Sequence, residues 1–302
     1  MLRWCLPLLL ALLPLSARAG NSAALGWGWL GDEDSIGDFH DRWHTGAFAF
    51  SEIFGPGWRG QLPAQPFRLM EFRLTGDAVA PASLALPAPN DRRYAGVLGF
   101  GLHSQFDWRG VETDIGGDLF LTGPQSGVSA FQDWLHHRLG VTGGEASYAN
   151  QIGNAAWPTV SAEIGKSFAL GQHRSLRPYA TAMVGLESWV RLGGDYSFGH
   201  FGQGAVMVRD MTTGQRYRTV AGDRTTGFSF SLGGDVAHVF SSRLMPAGGN
   251  VVASNIRERL RAGVHWQGVN DAVFYGLTWL GPEYVGQPGG QLVGSLHFQL
   301  QF

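Results

Sequence analysis

Segments of about ten residues in which apolar and polar side chains strictly alternate recur along almost the whole chain. A period of two is the mark of strands with two unlike faces. From 292 to 302 one parity reads Leu292, Gly294, Leu296, Phe298, Leu300 and Phe302, the other Val293, Ser295, His297, Gln299 and Gln301. Between Ile256 and Trp266, Ile256, Leu260, Ala262, Val264 and Trp266 are interrupted only by Glu258. They alternate with Arg257, Arg259, Arg261, Gly263 and His265. Leu98, Phe100, Leu102, Phe106 and Trp108 alternate with Gly99, Gly101, His103, Gln105 and Asp107. Similar patterns cover 25–29, 44–53, 114–122, 160–168, 179–192, 228–240 and 273–279, giving roughly ten to twelve strands.

Two architectures accommodate such strands: a soluble sandwich with a wet outer face, or a membrane barrel with a polar lumen. Strands of about ten residues match a tilted bilayer crossing, and Trp and Phe crowd the strand ends as in aromatic girdles. Charged residues make up 15%, against about 25% in ordinary soluble domains. Closure also removes the open edges that many strands would otherwise leave. The expected fold is therefore an all-β transmembrane antiparallel barrel. Small residues on the presumed lumen parity (Gly26, Gly28, Ala47, Ala49, Gly99, Gly101) leave room for other side chains inside a narrow barrel. Loops are expected at 55–66, 76–90 and 210–224. A net charge of -2 and a pI near 6.5 provide no basic footprint for nucleic acid.

Met1 to Ala19 carries Arg3, an apolar core from Leu6 to Leu15 and the small-x-small ending Ala17-Arg18-Ala19. This is the pattern of an export signal cleaved after Ala19, so residues 1–19 are read as signal peptide and 20–302 as the barrel. The one cysteine, Cys5, lies in the signal, which leaves the mature protein without disulfide, Cys-metal site or thiol nucleophile.

One helix interrupts the strands. Gly123-Pro124-Gln125-Ser126 leads into 127–139 and Gly140 follows, a suitable entry and exit for a short helix at the barrel mouth. Gln132 and His136 are four apart and share a helical face; from spacing alone His136 reads sooner as a surface histidine beside His137 than as a site residue. The turn from Glu33 to Asp41 is rich in carboxylates of the kind Ca²⁺ prefers, though it has no EF-hand spacing and fits a solvated loop too. His103-Ser104 forms no nucleophile-base pair, because strand neighbours face opposite sides, and no G-x-S-x-G elbow is present.

Asp41-Arg42-Trp43-His44-Thr45-Gly46, Asn90-Asp91-Arg92-Arg93-Tyr94-Ala95-Gly96, the Gly123-Pro124 helix with Gln132 and His136, Asn150-Gln151, and Gly281-Pro282-Glu283-Tyr284-Val285-Gly286-Gln287 together resemble the outer-membrane lipid A 3′-O-deacylase family. The resemblance spans nearly all of the mature chain. It implies a twelve-stranded barrel that removes the 3′-linked acyloxyacyl group of lipid A with Ca²⁺ as cofactor, its site lying between the wall and the helix near the outer leaflet. It makes His136 the base that activates water, a task suited to a neutral imidazole. Asp34 becomes the acidic residue associated with Ca²⁺, Thr45 a polar site residue, and Gln132 a residue orienting water or substrate.

Two positions depart from the family pattern. Glu33 stands where Asn is usual before the acidic residue, and glutamate also ligates Ca²⁺. The family's site lysine has no counterpart, since Lys166 is the only lysine; Arg92 or Arg93 is expected to meet a lipid A phosphate instead. The alternatives are a non-enzymatic barrel, either a narrow pore or an inactive relative, and a soluble periplasmic ligand-binding β-protein.

Overall fold

The computed structural model describes residues 22–141 and 143–300; the expected signal segment and Cys5 lie outside them. The first half of the wall is β1 (Ala23–Glu33), β2 (His44–Gly55), β3 (Met70–Val79), β4 (Ala95–Asp107), β5 (Glu112–Thr122) and β6 (Ala155–Gly165). After the two-residue β7 (Phe168–Ala169) come β8 (Arg174–Val184) and β9 (Glu187–Phe198). A separate hairpin, β10 (Val206–Arg209) and β11 (Arg216–Val220), precedes β12 (Gly227–Ser242), β13 (Ile256–Gln267), β14 (Asp271–Leu280) and β15 (Gln291–Leu300). Antiparallel pairing of β1 with β15 and of β6 with β8 closes a twelve-stranded barrel.

The alternation read from the sequence faces the way a membrane barrel requires. On β13, Leu260 is 62% exposed to the outside, while Arg257, Arg259 and Arg261 are buried in the lumen. Leu102, Leu192 and Leu232 are likewise outward and exposed. A continuous apolar outer face is costly in water and favourable in lipid, which removes the soluble alternative. No described helix is long and apolar enough to cross a membrane.

Short turns at 108–111 and 268–270 mark one end of the barrel and the helices α1 (Val128–Leu139) and α2 (Glu145–Ala149) the other. Outer-membrane barrels keep short turns at the periplasmic end, so the helical end is extracellular. The helix entry differs from the expected one. Pro124–Ser126 forms a separate 3-10 turn, and α1 starts one residue later than read, after Gly127. Its end is as expected: Gly140, at φ 73, takes the left-handed conformation and donates to the His137 carbonyl, and the Val141 N–H donates to that of His136.

Three loop boundaries are corrected. The strand β3 continues to Val79, inside the expected loop 76–90, and its lumen-facing Glu71, Arg73 and Asp77 masked it as loop-like sequence. The segment read as one strand over 179–192 turns at Gly185-Leu186 into β8 and β9. Residues 210–224, read as a loop, hold β11, one arm of a hairpin tucked into the lumen. Tyr217 is 1% and Thr219 2% exposed there, so polar sequence serves as filling.

The hairpin leans on one side of the wall because β1 offers it bare backbone. A Cβ on Gly28 would lie 2.2 Å from the Arg218 carbonyl oxygen, and one on Gly26 2.5 Å from that of Thr219. Val208 and Tyr217 pack with Leu30, Ala49 and Phe274, and burial of each such large side chain contributes about 1.5–3 kcal/mol. The Tyr217 hydroxyl lies 2.7 Å from Ser51 Oγ. The hairpin and the side chains packed on it fill the β1 side of the lumen.

Candidate active site at the extracellular mouth

The loop after β1 is built around a buried carboxyl. Asp34 opens a 3-10 turn and is fully buried; its carbonyl accepts from the Gly37, Asp38 and Phe39 N–H groups at 2.8, 3.0 and 3.2 Å. Its Oδ2 accepts the Arg42 backbone N–H at 2.7 Å, and Arg42 Nη2 donates to Asp38 Oδ2 at 3.0 Å. Phe39 and Trp43, at φ 64 and 54, hold left-handed backbone, which costs non-glycine residues on the order of 1 kcal/mol or more each. Trp43 offsets part of that cost by burying against Met245 and Tyr284. The loop is therefore fixed at both ends.

Asp34 Oδ1 has no donor. Burial, opposed by the Arg42 N–H and reinforced by the neighbouring charges of Glu33 and Asp41, pushes the Asp34 carboxyl up to about 9. Burial also raises Asp41. An orphaned buried oxygen among crowded carboxylates is the environment a hard cation relieves. Among the described residues no three His, Cys, Asp or Glu side chains converge closely enough to enclose a metal alone. A cation held by Asp34 and Glu33 would complete its shell with carbonyl and water oxygens, which Ca²⁺ accepts.

A bulge at the start of β2 turns consecutive residues inward: the pairing with β3 shifts between His44 and Gly46, and both His44 and Thr45 are buried. Thr45 Oγ1 donates to the Ala78 carbonyl at 3.3 Å and accepts from Gln132 Nε2 at 2.9 Å. Gln132 Oε1 in turn accepts the Tyr94 hydroxyl at 2.8 Å. This chain pins the inner face of α1 to the wall. One helical turn on, His136 Nε2 lies 3.7 Å from Asp41 Oδ2, and its Nδ1 is buried without a partner. Thr45 and Gln132 thus touch directly, and Asp41 links His136 to the carboxylates of the first loop. Sequence reading gave Asp41 no role, although it sits in the same acidic turn.

The two arginines are engaged elsewhere. Arg92 is 2% exposed, and its Nη1 donates to Glu283 Oε2 at 2.5 Å. Arg93 donates to the Asn150 and Gln151 carbonyls at 2.8 and 2.6 Å, tying down the segment after α2. Lys166 stands at the periplasmic end, after β6, 5.6 Å from the Phe168 ring centroid.

Beneath the site lies a network that the sequence did not reveal. His44 Nδ1 is 3.3 Å from Asp77 Oδ1 and its Nε2 3.1 Å from Glu283 Oε2, while Arg257 Nη1 lies 3.3 Å from Glu283 Oε1. Burial pushes Glu283 up, but His44, Arg257 and Arg92 outweigh it and hold the carboxyl well below its usual range.

Known proteins resemble this arrangement to different depths. The structure of LpxR from Salmonella typhimurium aligns with TM-score 0.78 at 15% identity, covering 92% of this chain and 100% of that one. The β domain of the Bordetella autotransporter BrkA aligns at TM-score 0.44 and 10% identity (94% and 100% covered), and the NanC porin at 0.42 and 6% (92% and 100% covered). No curated protein sequence matches. The family model described as outer membrane protein LpxR matches residues 5–302. The chain belongs to the LpxR family of outer-membrane proteins.

Proposed function

We propose that the mouth of this barrel is the active site of a Ca²⁺-dependent esterase that removes the 3′-linked acyl group of lipid A in the outer leaflet. Family membership supports a lipid A-modifying enzyme of the outer membrane; the ester chemistry is inferred from the site. The observation that carries it is His136 beside Asp41, with Nδ1 unpartnered, while the charge of Asp41 in turn acts on Asp34, whose Oδ1 is orphaned.

His136 takes a proton from water as the water oxygen attacks the ester carbonyl carbon, and returns it to the sugar oxygen as the acyl–oxygen bond breaks. The products are the free fatty acid and the 3′-hydroxyl. Asp41, 3.7 Å from the ring, would stabilise the imidazolium once the proton is taken, and the Tyr94–Gln132–Thr45 chain holds the helix that carries His136. Asp34 and Glu33 would bind the cation, whose chemistry when bound is Lewis-acid polarisation of the ester carbonyl. Direct attack by water requires no serine or thiol nucleophile.

Mass spectrometry of lipid A from cells expressing the wild type or His136→Ala tests this reading. The expected result is loss of one 3′-acyl group with the wild type alone, abolished by a chelator. Unchanged lipid A from a correctly inserted wild-type barrel contradicts it.

A further inference from the structure

The plug hairpin seats against β1 and leaves the opposite side of the lumen open. A cavity of about 730 Å³ lies there, between the hairpin and the wall from β3 to β9. Trp58, Gln61 and Gln203, from periplasmic connections, line one end of it, and Met183 and Trp189, beside the β8–β9 turn, line the other; Glu112 and Ser167, at the periplasmic end, lie on the side of Arg216, which is reached from there. The cavity volume is that of a small-molecule site.

The charged residues lining the cavity balance in sign, but their contacts do not. Glu163 Oε1 accepts from Arg177 Nη1 at 2.7 Å and Oε2 from Arg209 Nε at 2.8 Å. Asp195 accepts from Arg261 Nη2 at 2.5 Å and Arg209 Nη2 at 2.7 Å. Glu112 accepts from Arg177 Nε at 2.6 Å and the Ser167 hydroxyl at 2.5 Å. Each oxygen of these three carboxylates, whose charges act on Arg216, is thus supplied by another donor. Arg216, on β11, lines the same cavity beside Arg177 and Arg209, yet it makes no hydrogen bond or ion pair among the described residues. Its planar fork of five N–H donors is left facing the cavity with no protein acceptor, crowded by two other guanidiniums.

We propose that this cavity is a second ligand site, entered from the periplasm, in which Arg216 holds the oxyanion of a phosphate- or carboxylate-bearing small molecule. A bidentate oxyanion supplies the acceptors that the fork lacks and offsets the local excess of positive charge. Ser175 and Ser197 also line the cavity and offer further hydroxyl donors. The site is separate from the extracellular mouth, and the inference does not rest on the proposed esterase activity.

The test is titration of the folded full-length barrel in detergent with inorganic phosphate and, separately, with succinate. Binding is followed by calorimetry and by tryptophan fluorescence, because Trp58 lines the cavity. The expected result is saturable binding of at least one probe, the two arms separating a phosphate from a carboxylate ligand. Arg216→Gln should weaken it about tenfold or more, from the size of a charged hydrogen bond. Arg216→Lys, which keeps the charge without the fork, should bind at intermediate strength, and replacing the exposed Arg224 with Gln should change little. Heat-modifiable gel migration checks folding; if the Gln variant does not fold, the Lys variant carries the comparison. Absence of saturable binding with both probes, or affinity unchanged in Arg216→Gln or Arg216→Lys, overturns the proposal.

Discussion

Asp235, deep in the lumen, accepts hydrogen bonds from Arg191, Arg259, Arg261 and the Tyr179 hydroxyl, whereas Asp34, equally buried at the mouth, accepts a single backbone N–H. The first carboxylate is saturated by its own chain, and the second waits for something from outside. Both are costly to bury, but the lumen recovers that cost from guanidiniums placed on β9 and β13. The mouth leaves it standing against Glu33 and Asp41. The charge gathered around Asp235 therefore reads as architecture, and the charge around Asp34 as a binding site.

The contrast is broken most severely by removing the imidazole at the mouth. His136→Gln should lower deacylation by roughly 10²–10⁴-fold, the range for loss of a general base, with barrel folding unchanged by gel mobility. Next in size is Asp235→Asn. Losing one partner of a buried charge network typically costs on the order of 3–5 kcal/mol, measurable as a lower urea midpoint in detergent. Asp34→Asn should do the opposite in the absence of divalent cations, because it removes a carboxylate the fold leaves unpaired.

A pH series sharpens the same point. The folded pKa of Asp34 is about 9, against about 3.9 in an unfolded chain, so the folded state binds more protons. Its contribution to stability is complete below about pH 4 and is lost as pH rises toward 9. Urea midpoints of the cation-free wild type should fall across this window, Asp34→Asn should flatten that component, and added Ca²⁺ should restore stability while releasing protons. Glu283 runs the other way. Held low by His44, Arg257 and Arg92, it stabilises the fold above about pH 4.3 and loses that contribution as pH falls. The smallest effect is expected from Gln132→Ala, which removes the Thr45 and Tyr94 contacts at about 0.5–1.5 kcal/mol per hydrogen bond and loosens α1.

The wall was legible because lipid on one side and a polar lumen on the other impose a period of two. β13 and β15 show it plainly, and even Glu258 interrupts it only near the extracellular end of its strand. The plug was not legible. Residues 210–224 answer to the lumen and not to lipid, so their polar composition looked like a loop. At the site, the shared face of Gln132 and His136 follows from helical spacing alone, whereas the bulge that turns both His44 and Thr45 inward shows only in the strand pairing. The network of His44, Asp77, Arg92, Arg257 and Glu283 gathers residues from five distant segments, and only barrel closure brings them together. Arg92 shows the limit most clearly, because its chemistry suits a phosphate but its direction is set by Glu283.

The most direct test of the account is deacylation of lipid A by the purified barrel in ¹⁸O-labelled water with Ca²⁺ present. Attack of water on the ester carbonyl predicts one ¹⁸O in the carboxylate of each released fatty acid, with no release from His136→Gln. Unlabelled fatty acid, or release that persists without the imidazole, would contradict it.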